Sequence, residues 1–208
     1  MLEALDAEPD PPTTVSEPGQ AADVHLADGL SGLEVGELRA AGRIADVGAG
    51  AGFPGLALAV ALPSAQVDLV ESARRKCEVI DRLARAAGIR NARAIPSRAE
   101  EWAASSGREA YDAVTVRAVD RLAVLLEYAS PLLREGGVLV AWKGERDEVE
   151  ERGAMAAAEK LAMRGIEVRR VVPFEGAERR HLYVYEKCGP TPAGVPRRPG
   201  MARKRPFG

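Results

Sequence analysis

The sequence predicts an α/β fold: a seven-stranded, mostly parallel sheet with helices on both faces and an antiparallel last strand. Three observations favour this fold. From residue 43 onward, short apolar runs alternate with longer amphipathic ones over about 140 residues, the pattern of strands linked by helices. A glycine-rich turn follows the first apolar run. The last two apolar runs have no helix between them, which predicts an antiparallel hairpin closing one edge.

The predicted strands are short apolar segments, in chain order RIADV (43–47), QVDLVE (66–71), NARAI (91–95), YDAVTVRAV (111–119), VLVAWKG (138–144), IEVRRVVPF (166–174) and HLYVYEK (181–187). The predicted helices alternate with them and cover residues 54–62, 72–88, 121–137 and 146–165. Pro54 suits the start of a helix, where a missing N–H costs nothing. Gly88 is a natural end for the second helix, and Gly136 and Gly137 are expected to stop the third.

Composition divides the chain into three parts. Residues 1–22 are acidic and Pro-rich, and we expect disorder over most of them. Residues 23–188 form the predicted domain, which opens with one or two short helices. Residues 189–208 hold five prolines, four glycines, five bases and no acid. We expect this tail to form no regular element and to stay outside the core; it is either a solvated tail or a contact for a polyanionic partner.

Several classes of protein are disfavoured by composition. No apolar run approaches the length of a membrane helix, and the first residues lack the basic and apolar regions of a secretory signal. The two cysteines, Cys77 and Cys188, are too few for a disulfide framework and have no metal-ligand spacing. We therefore expect a soluble cytoplasmic protein without a metal or a membrane partner.

The glycine loop lies in IADVGAGAGFPGLALAV, residues 44–60, and contains Gly48, Gly50, Gly52 and Gly55. A dinucleotide fingerprint, G-x-G-x-x-G, would need glycine six positions into the motif, where Phe53 stands. A Gly-Lys-Ser/Thr ending, typical of triphosphate loops, does not follow either. Asp46 precedes the glycines, and an acid there suits a ligand with a cationic group and no phosphate.

Glu71 ends the second predicted strand, 23 positions beyond Gly48. This is close to the spacing of about 20 at which an acid binds a ribose hydroxyl. The alternative is an exposed acid that caps the next helix, and Glu71 alone does not separate the two.

Together, the acid–glycine pattern and the acid at the end of the second strand resemble the class I S-adenosylmethionine-dependent methyltransferases, which have a Rossmann-like fold. Five segments follow one another in the order and spacing of one family. They are DVGAGAGFPGLALA, VESARRKCEVIDRLARAAGIRNARAIPSRAEEW, YDAVTVRAV, VAWKG and ERRHLYVYEK. Over residues 24–208 the chain resembles the glucose-inhibited division B family, the guanine-N7 methyltransferases of 16S ribosomal RNA.

The resemblance implies a set of site residues. Those assigned to the cofactor, S-adenosyl-L-methionine, are Asp46, Gly48, Gly50, Gly52, Phe53, Glu71, Ala99, Glu100 and Arg117. The bases assigned to RNA are Lys143, Arg180, Arg197, Arg198, Arg203, Lys204 and Arg205. Ala99 and Phe53 would otherwise be packing residues, and Lys143 and Arg180 ordinary surface bases. The resemblance also implies that Arg117 is the catalytic residue. Arg117 is harder to interpret as an ordinary residue, because a charge just after an apolar strand is rarely buried without a partner.

The chemistry implied by the resemblance needs few groups. Guanine N7 has a lone pair and no proton, so in-line attack on a sulfonium methyl requires no general base and depends on alignment. The loop after the fourth strand lacks the Asn/Asp-Pro-Pro-aromatic sequence of amino-group methyltransferases. Cys77 and Cys188 are interpreted as inert. The implied partner is 16S rRNA, the small ribosomal subunit or its precursor, and we expect a monomer.

The front of the chain departs from the family pattern. HLADGL keeps His25 and Asp28 of the family's His-x-x-Asp-Ser-Leu sequence but has Gly29 in place of serine. The longer helical segment expected upstream is either missing or begins before the given start, and His25 is interpreted as a structural hydrogen-bonding residue. Three alternatives stay open: the same fold acting on another acceptor, a non-catalytic relic that binds cofactor or RNA, and a nicotinamide dehydrogenase, which Phe53 disfavours.

Overall fold

The computed structural model describes residues 1–13, 15 and 18–208. Its centre is one sheet of seven strands: β1 (Arg43–Val47), β2 (Gln66–Glu71), β3 (Ala92–Pro96), β4 (Tyr111–Arg117), β5 (Leu133–Lys143), β6 (Met163–Val171) and β7 (Arg180–Lys187). The strand order is β3-β2-β1-β4-β5-β7-β6. All neighbours pair in parallel except at β7, which runs antiparallel to both β5 and β6. The predicted fold class is confirmed.

Ten α-helices accompany the sheet in the described residues: α1 (Leu2–Asp6), α2 (Pro18–Ala21), α3 (Asp28–Leu30), α4 (Gly36–Arg39), α5 (Gly55–Ala61), α6 (Arg74–Ala86), α7 (Ala99–Ala103), α8 (Leu122–Ala129), α9 (Glu148–Lys160) and α10 (Met201–Lys204). A π-helical turn, Ala22–Ala27, joins α2 to α3, and a 3₁₀ turn, Ser31–Glu34, follows α3. None of the helices in the described ranges is long and apolar enough to cross a membrane.

Strands β1 and β2 are buried on both faces after their first residue, as parallel strands covered by helices are. One hydrophobic cluster packs α7, α8, α9 and α10 against one face, and the other packs α1, α4, α5 and α6 against the opposite face. Helix α6 ends as predicted, with Gly88 at φ 67° and its N–H donating to the carbonyl of Arg85.

The predicted helix over residues 121–137 is too long. Helix α8 ends at Ala129, and β5 begins at Leu133. Pro131 lacks the N–H that a continuing helix needs, and Leu133 pairs with Tyr111. The register of the β4–β5 pair then shifts, and regular pairing resumes at Ala113 and Val138. Gly136, with φ 77°, lies in the exposed irregular part of β5 before Val138.

Both ends of the chain contribute to the core, contrary to expectation. Leu5 of α1 is buried within the stretch expected to be disordered, and Glu8 accepts two hydrogen bonds from Arg82. Thr14, Ser16 and Glu17 of the same stretch lie outside the described residues. In the tail, Val195 and Ala202 are buried in the cluster around α8. The tail also contains α10. The predictions that it forms no regular element and stays outside the core are therefore wrong.

Candidate active site

Two adjoining cavities open at the carboxyl ends of β1, β2 and β4, where ligands bind in sheets of this kind. The larger has a volume of about 760 Å³ and the smaller about 280 Å³. Gly48, Glu71 and Ala118 line both. The first glycine of the loop and the acid at the end of β2 therefore lie at the boundary between the two cavities.

The glycine loop turns the chain from β1 into α5. Gly48, Gly50 and Gly52 have φ values of 68°, 58° and 97°, which side chains rarely adopt. A Cβ at Gly48 would lie 2.6 Å from Val119 Cγ2, whereas one at Gly50 would meet only a carbonyl oxygen at 3.9 Å. Gly48 is thus required by close contact as well as by conformation, and Gly50 by conformation alone.

Asp46 lies beneath the loop and lines neither cavity. Its Oδ2 accepts the N–H of Gly55 at 2.9 Å, and its Oδ1 accepts the hydroxyl of Thr115 at 2.9 Å. Burial raises the pKa of Asp46 to about 6, against the effect of these two hydrogen bonds. The structure therefore places Asp46 as a support for the loop, whereas the sequence analysis placed it against the ligand.

Glu71 is buried and holds the loop from the side. One carboxylate oxygen accepts the N–H of Gly50 at 3.1 Å, and the other accepts that of Ala73 at 2.9 Å. Glu71 bonds the chain just ahead of α6, as the capping interpretation expects, but it is buried and not exposed. It also lines both cavities, so ribose binding stays a prediction. The Ser72 hydroxyl also donates to this carboxylate, at 3.4 Å. A carboxylate has about four acceptor positions, so one ligand hydroxyl could still be accepted.

The smaller cavity is lined by the segment after β3, including Ala99 and Glu100. The sequence analysis places these two residues in a loop, but they form the first turn of α7. Glu100 is buried, and its Oε1 accepts the N–H of Gly200 at 2.9 Å. Gly200 and Arg203 of the C-terminal segment line the same cavity.

The larger cavity contains Arg117, at the end of β4, and its partners from the N-terminal helices. Arg117 Nη1 donates to Asp28 Oδ2 at 3.0 Å and to the carbonyl of Val24. Its Nη2 lies 3.5 Å from His25 Nδ1. Asp28 is buried, so Arg117 has the charge partner that its position requires.

His25 and Phe53 form a stacked pair in the wall of the same cavity, with ring centroids 4.6 Å apart. His25 Nε2 also lies 3.0 Å from Thr13 Oγ1. Burial, followed by the nearby Arg117 charge, lowers the pKa of His25 to about 4. The histidine is a buried and neutral hydrogen-bonding residue, as the sequence analysis expects.

Lys143 and Arg180 also line the larger cavity, and each is paired. Lys143 Nζ donates to Glu150 Oε1 at 2.7 Å. Arg180 Nε lies 3.5 Å from Asp28 Oδ1, and neither atom has a hydrogen-bond partner among the described residues. The side chain of Arg180 is 41% exposed and that of Lys143 is 21% exposed, so Arg180 is the more available to a ligand.

The five bases of the C-terminal segment differ in their surroundings. Arg197 forms a two-pronged ion pair with buried Glu127 and stacks over Phe207. Arg203 pairs with Asp120 at 2.7 Å. Arg198, Lys204 and Arg205 are exposed. The structure therefore gives Arg197 and Arg203 partners within the protein, where the sequence analysis assigned them to RNA.

Sequence reasoning missed several residues of the site. Three of them line the cavities because of contacts with residues far away in the sequence, which local patterns do not reveal. They are Gly200, Asp120 and Val119. Asp28 could have been found from the sequence, since it stands in the retained His-x-x-Asp sequence, but the sequence analysis gives it no role.

The two cysteines differ in burial. Cys77 is buried, with a pKa raised by burial, and Cys188 is exposed.

Comparison with known proteins connects this geometry to one family. Residues 13–183 match the family model GidB, described as rRNA small subunit methyltransferase G. A protein of that name from Pelotomaculum thermopropionicum is 41% identical over 201 residues, which cover 94% of this chain and 82% of the relative. Another from Symbiobacterium thermophilum is 38% identical over 201 residues, with the same coverage.

Solved structures agree on the fold. A predicted O-methyltransferase from Agrobacterium tumefaciens has a TM-score of 0.61 and 25% identity, covering 79% of this chain and 80% of that one. Aeropyrum pernix fibrillarin in complex with S-adenosyl-L-methionine has a TM-score of 0.59 and 19% identity, covering 76% and 72%. The resemblance drawn from the sequence is confirmed, and the chain belongs to the GidB family of S-adenosyl-L-methionine-dependent methyltransferases.

Proposed function

We propose that this protein transfers the methyl group of S-adenosyl-L-methionine to N7 of a guanine in 16S rRNA. The family supports a methyltransferase, and the relatives carry the name of small-subunit rRNA methyltransferases. The observation that supports N7 best is that the acids and the histidine around the larger cavity are already engaged. Asp28 pairs with Arg117, and Glu71 bonds two backbone amides. His25 contacts Thr13 and Arg117 through its two ring nitrogens, and its pKa, lowered to about 4, makes it a weak base.

An acceptor that must lose a proton needs a base within hydrogen-bond reach. Guanine N7 carries a lone pair and no proton, so it is suited to a cavity whose titratable groups are engaged in other bonds. Catalysis then depends on holding the two reacting atoms in line, and the walls of the cavity supply that constraint.

The cofactor fits the residues that line the two cavities. Gly50 leaves open space where a side chain would project, and Glu71 offers a further acceptor position at the boundary of the cavities. Glu71 and the first turn of α7, with Ala99 and Glu100, would hold the adenosine part; the glycine loop and Phe53 would border the rest. When bound, S-adenosyl-L-methionine supplies an activated methyl group on a sulfonium.

The larger cavity is the proposed place for the guanine. Arg117 is held by Asp28 and would orient the base by donating to O6, which leaves N7 free. Arg180 and the exposed bases Arg198, Lys204 and Arg205 would contact phosphates, which orient an RNA without reading its sequence. Lys143 would add positive charge beside them.

The test uses RNA in which the acceptor atom is replaced. A 16S transcript made with 7-deazaguanosine has C–H in place of N7 but keeps O6, N1 and the amino group. We expect tritium from labelled S-adenosyl-L-methionine to enter the unmodified transcript, with the label recovered as 7-methylguanine, and not the substituted one. Equal labelling of both transcripts would refute N7 as the acceptor.

A second experiment tests Arg117. Arg117→Ala is expected to lower kcat at least about a hundredfold, since loss of one oriented charged donor at a reacting base has effects of that order. Arg117→Lys, which keeps the charge but loses the fork of donors, should recover only part of the rate. Unchanged turnover by a folded Arg117→Ala protein would remove this residue from the mechanism.

A further inference from the structure

The C-terminal segment, residues 189–208, returns to the cofactor end of the sheet. Gly200 and Arg203 line the smaller cavity together with Glu71 and Ala99. The smaller cavity is therefore enclosed by residues from both the glycine-loop half of the domain and the last residues of the chain.

The segment is fixed in place at points well separated along it. The N–H and hydroxyl of Thr191 donate to Glu109 Oε1 at 2.9 and 2.6 Å. Arg197 pairs with Glu127, of which only 2% is exposed. Ala202 is buried against α8. These anchors give the segment a defined position, which a wall of a binding site requires.

Two residues join the segment to the cavity wall. The N–H of Gly200 donates to Glu100 Oε1 on α7. Arg203 Nε contacts Asp120 Oδ2 at 2.7 Å, and its Nη2 donates to the carbonyl of Val119 at 3.3 Å. Arg203 thus holds the short loop that follows β4.

That loop contacts the glycine motif directly. The Val119 side chain occupies the space next to Gly48, where a Cβ would lie 2.6 Å from Val119 Cγ2. A chain of contacts therefore runs from Arg203 through Val119 to Gly48, one of the residues that line both cavities.

We propose that residues 189–208 form the outer wall of the cofactor site, and that Arg203 is a positioning residue that sets affinity for the adenosine part of S-adenosyl-L-methionine. This inference rests on the proposed assignment of the smaller cavity to adenosine. It gives part of the basic segment a function that is separate from RNA binding and operates in the absence of RNA.

The experiment measures ligand binding to the full-length protein by calorimetry, without RNA. The ligands are S-adenosyl-L-methionine and 5′-methylthioadenosine, which keeps the adenosine but lacks the amino-acid part. Arg203→Ala is expected to raise Kd about tenfold for both ligands, the effect of losing roughly one charge-assisted hydrogen bond. Arg152→Ala, at an exposed arginine on α9 that lines none of the cavities, is the charge-matched control and should leave both Kd values unchanged.

Arg203 is exposed, so folding should survive the substitution, and unfolding curves of the free variant would verify this. Because Arg203 acts through Asp120, Asp120→Ala should raise Kd in the same direction, and the double variant should be no worse than the stronger single one. In methyl transfer, Arg203→Ala should raise KM for S-adenosyl-L-methionine without changing kcat.

Unchanged Kd for both ligands, or a rise confined to S-adenosyl-L-methionine, would overturn the proposal. Failure of the N7 assignment would leave these binding results unaffected, because no acceptor is present in the assay. The two proposals are therefore distinguished by experiment.

Discussion

Asp46 and Gly55 are joined across the glycine loop. The Asp46 carboxylate accepts the N–H of Gly55 at 2.9 Å, and a Cβ at position 55 would lie 2.8 Å from the same oxygen. The acid before the motif and the glycine after it therefore form one structural unit. This bond fixes where α5 begins relative to β1, and so fixes the shape of the loop that faces the cavities.

The Asp46 carboxyl should make stability depend on pH. Its pKa rises from 3.8 to about 6 on folding, so between these values the folded state binds more protons than the unfolded state. Stability from this group is full below about pH 4 and is lost as the pH rises through 6. The free energy of unfolding of the wild type minus that of Asp46→Asn should fall by about 3 kcal/mol over this window. Urea unfolding at pH 3.5 to 7 measures it, and a flat difference would contradict the burial argument.

His25 should titrate in the opposite sense. Its pKa falls from 6.5 to about 4 on folding, so the stability it contributes is present above pH 6.5 and is lost as the pH falls towards 4. NMR titration of the histidine ring signals tests this directly. The chain has two histidines, and a His181→Gln variant assigns the signals. A midpoint near 6.5 for His25 would show that the ring is not buried against Phe53 and Arg117.

Gly48 and Gly50 provide a matched pair of loop substitutions. Both have positive φ, so alanine at either position should cost about 1–2 kcal/mol of unfolding free energy. Gly48→Ala should cost more, because its Cβ meets Val119, while that of Gly50→Ala meets open space. In the Gly48→Ala/Val119→Ala protein the steric part of the loss should disappear. Equal stability of the two single variants would mean that Val119 yields freely.

Alanine substitutions at the neighbouring residues Arg197 and Arg198 should change stability by different amounts. Arg197→Ala leaves Glu127 buried without its partner, which should lower the unfolding free energy by about 3 kcal/mol. Arg198 is exposed, and Arg198→Ala should change stability by less than about 0.5 kcal/mol. Chemical denaturation measures both. Similar small effects from the two variants would show that the C-terminal segment is not anchored through Glu127.

Local patterns predicted the seven strands and the glycine loop, because burial on both faces leaves a clear apolar signal in β1, β2 and β4. The length of α8 could not be predicted in the same way. Pro131 indicated an early end, but the apolar residues after it suited a helix as well as a strand, and pairing with Tyr111 decided the outcome.

The roles of the charged residues were harder to predict than the strands. Arg197 and Arg198 are identical in type and adjacent in sequence, yet one is paired with a buried acid and the other is exposed. Only the contact with Glu127, 70 positions earlier, separates them. Likewise, Asp46 has the position of a ligand-binding acid, and its inward orientation is set by Thr115 on the neighbouring strand.

The insertion of β7 between β5 and β6 has a consequence for synthesis of the chain. Residues 180–187 are translated after β6, yet they pair with the interior strand β5. Until they emerge, a nascent chain has an unpaired edge on β5, a surface prone to association with other chains. Strands β5 and β6 therefore have no common neighbour until β7 has emerged, and the sheet is complete only when β7 inserts between them.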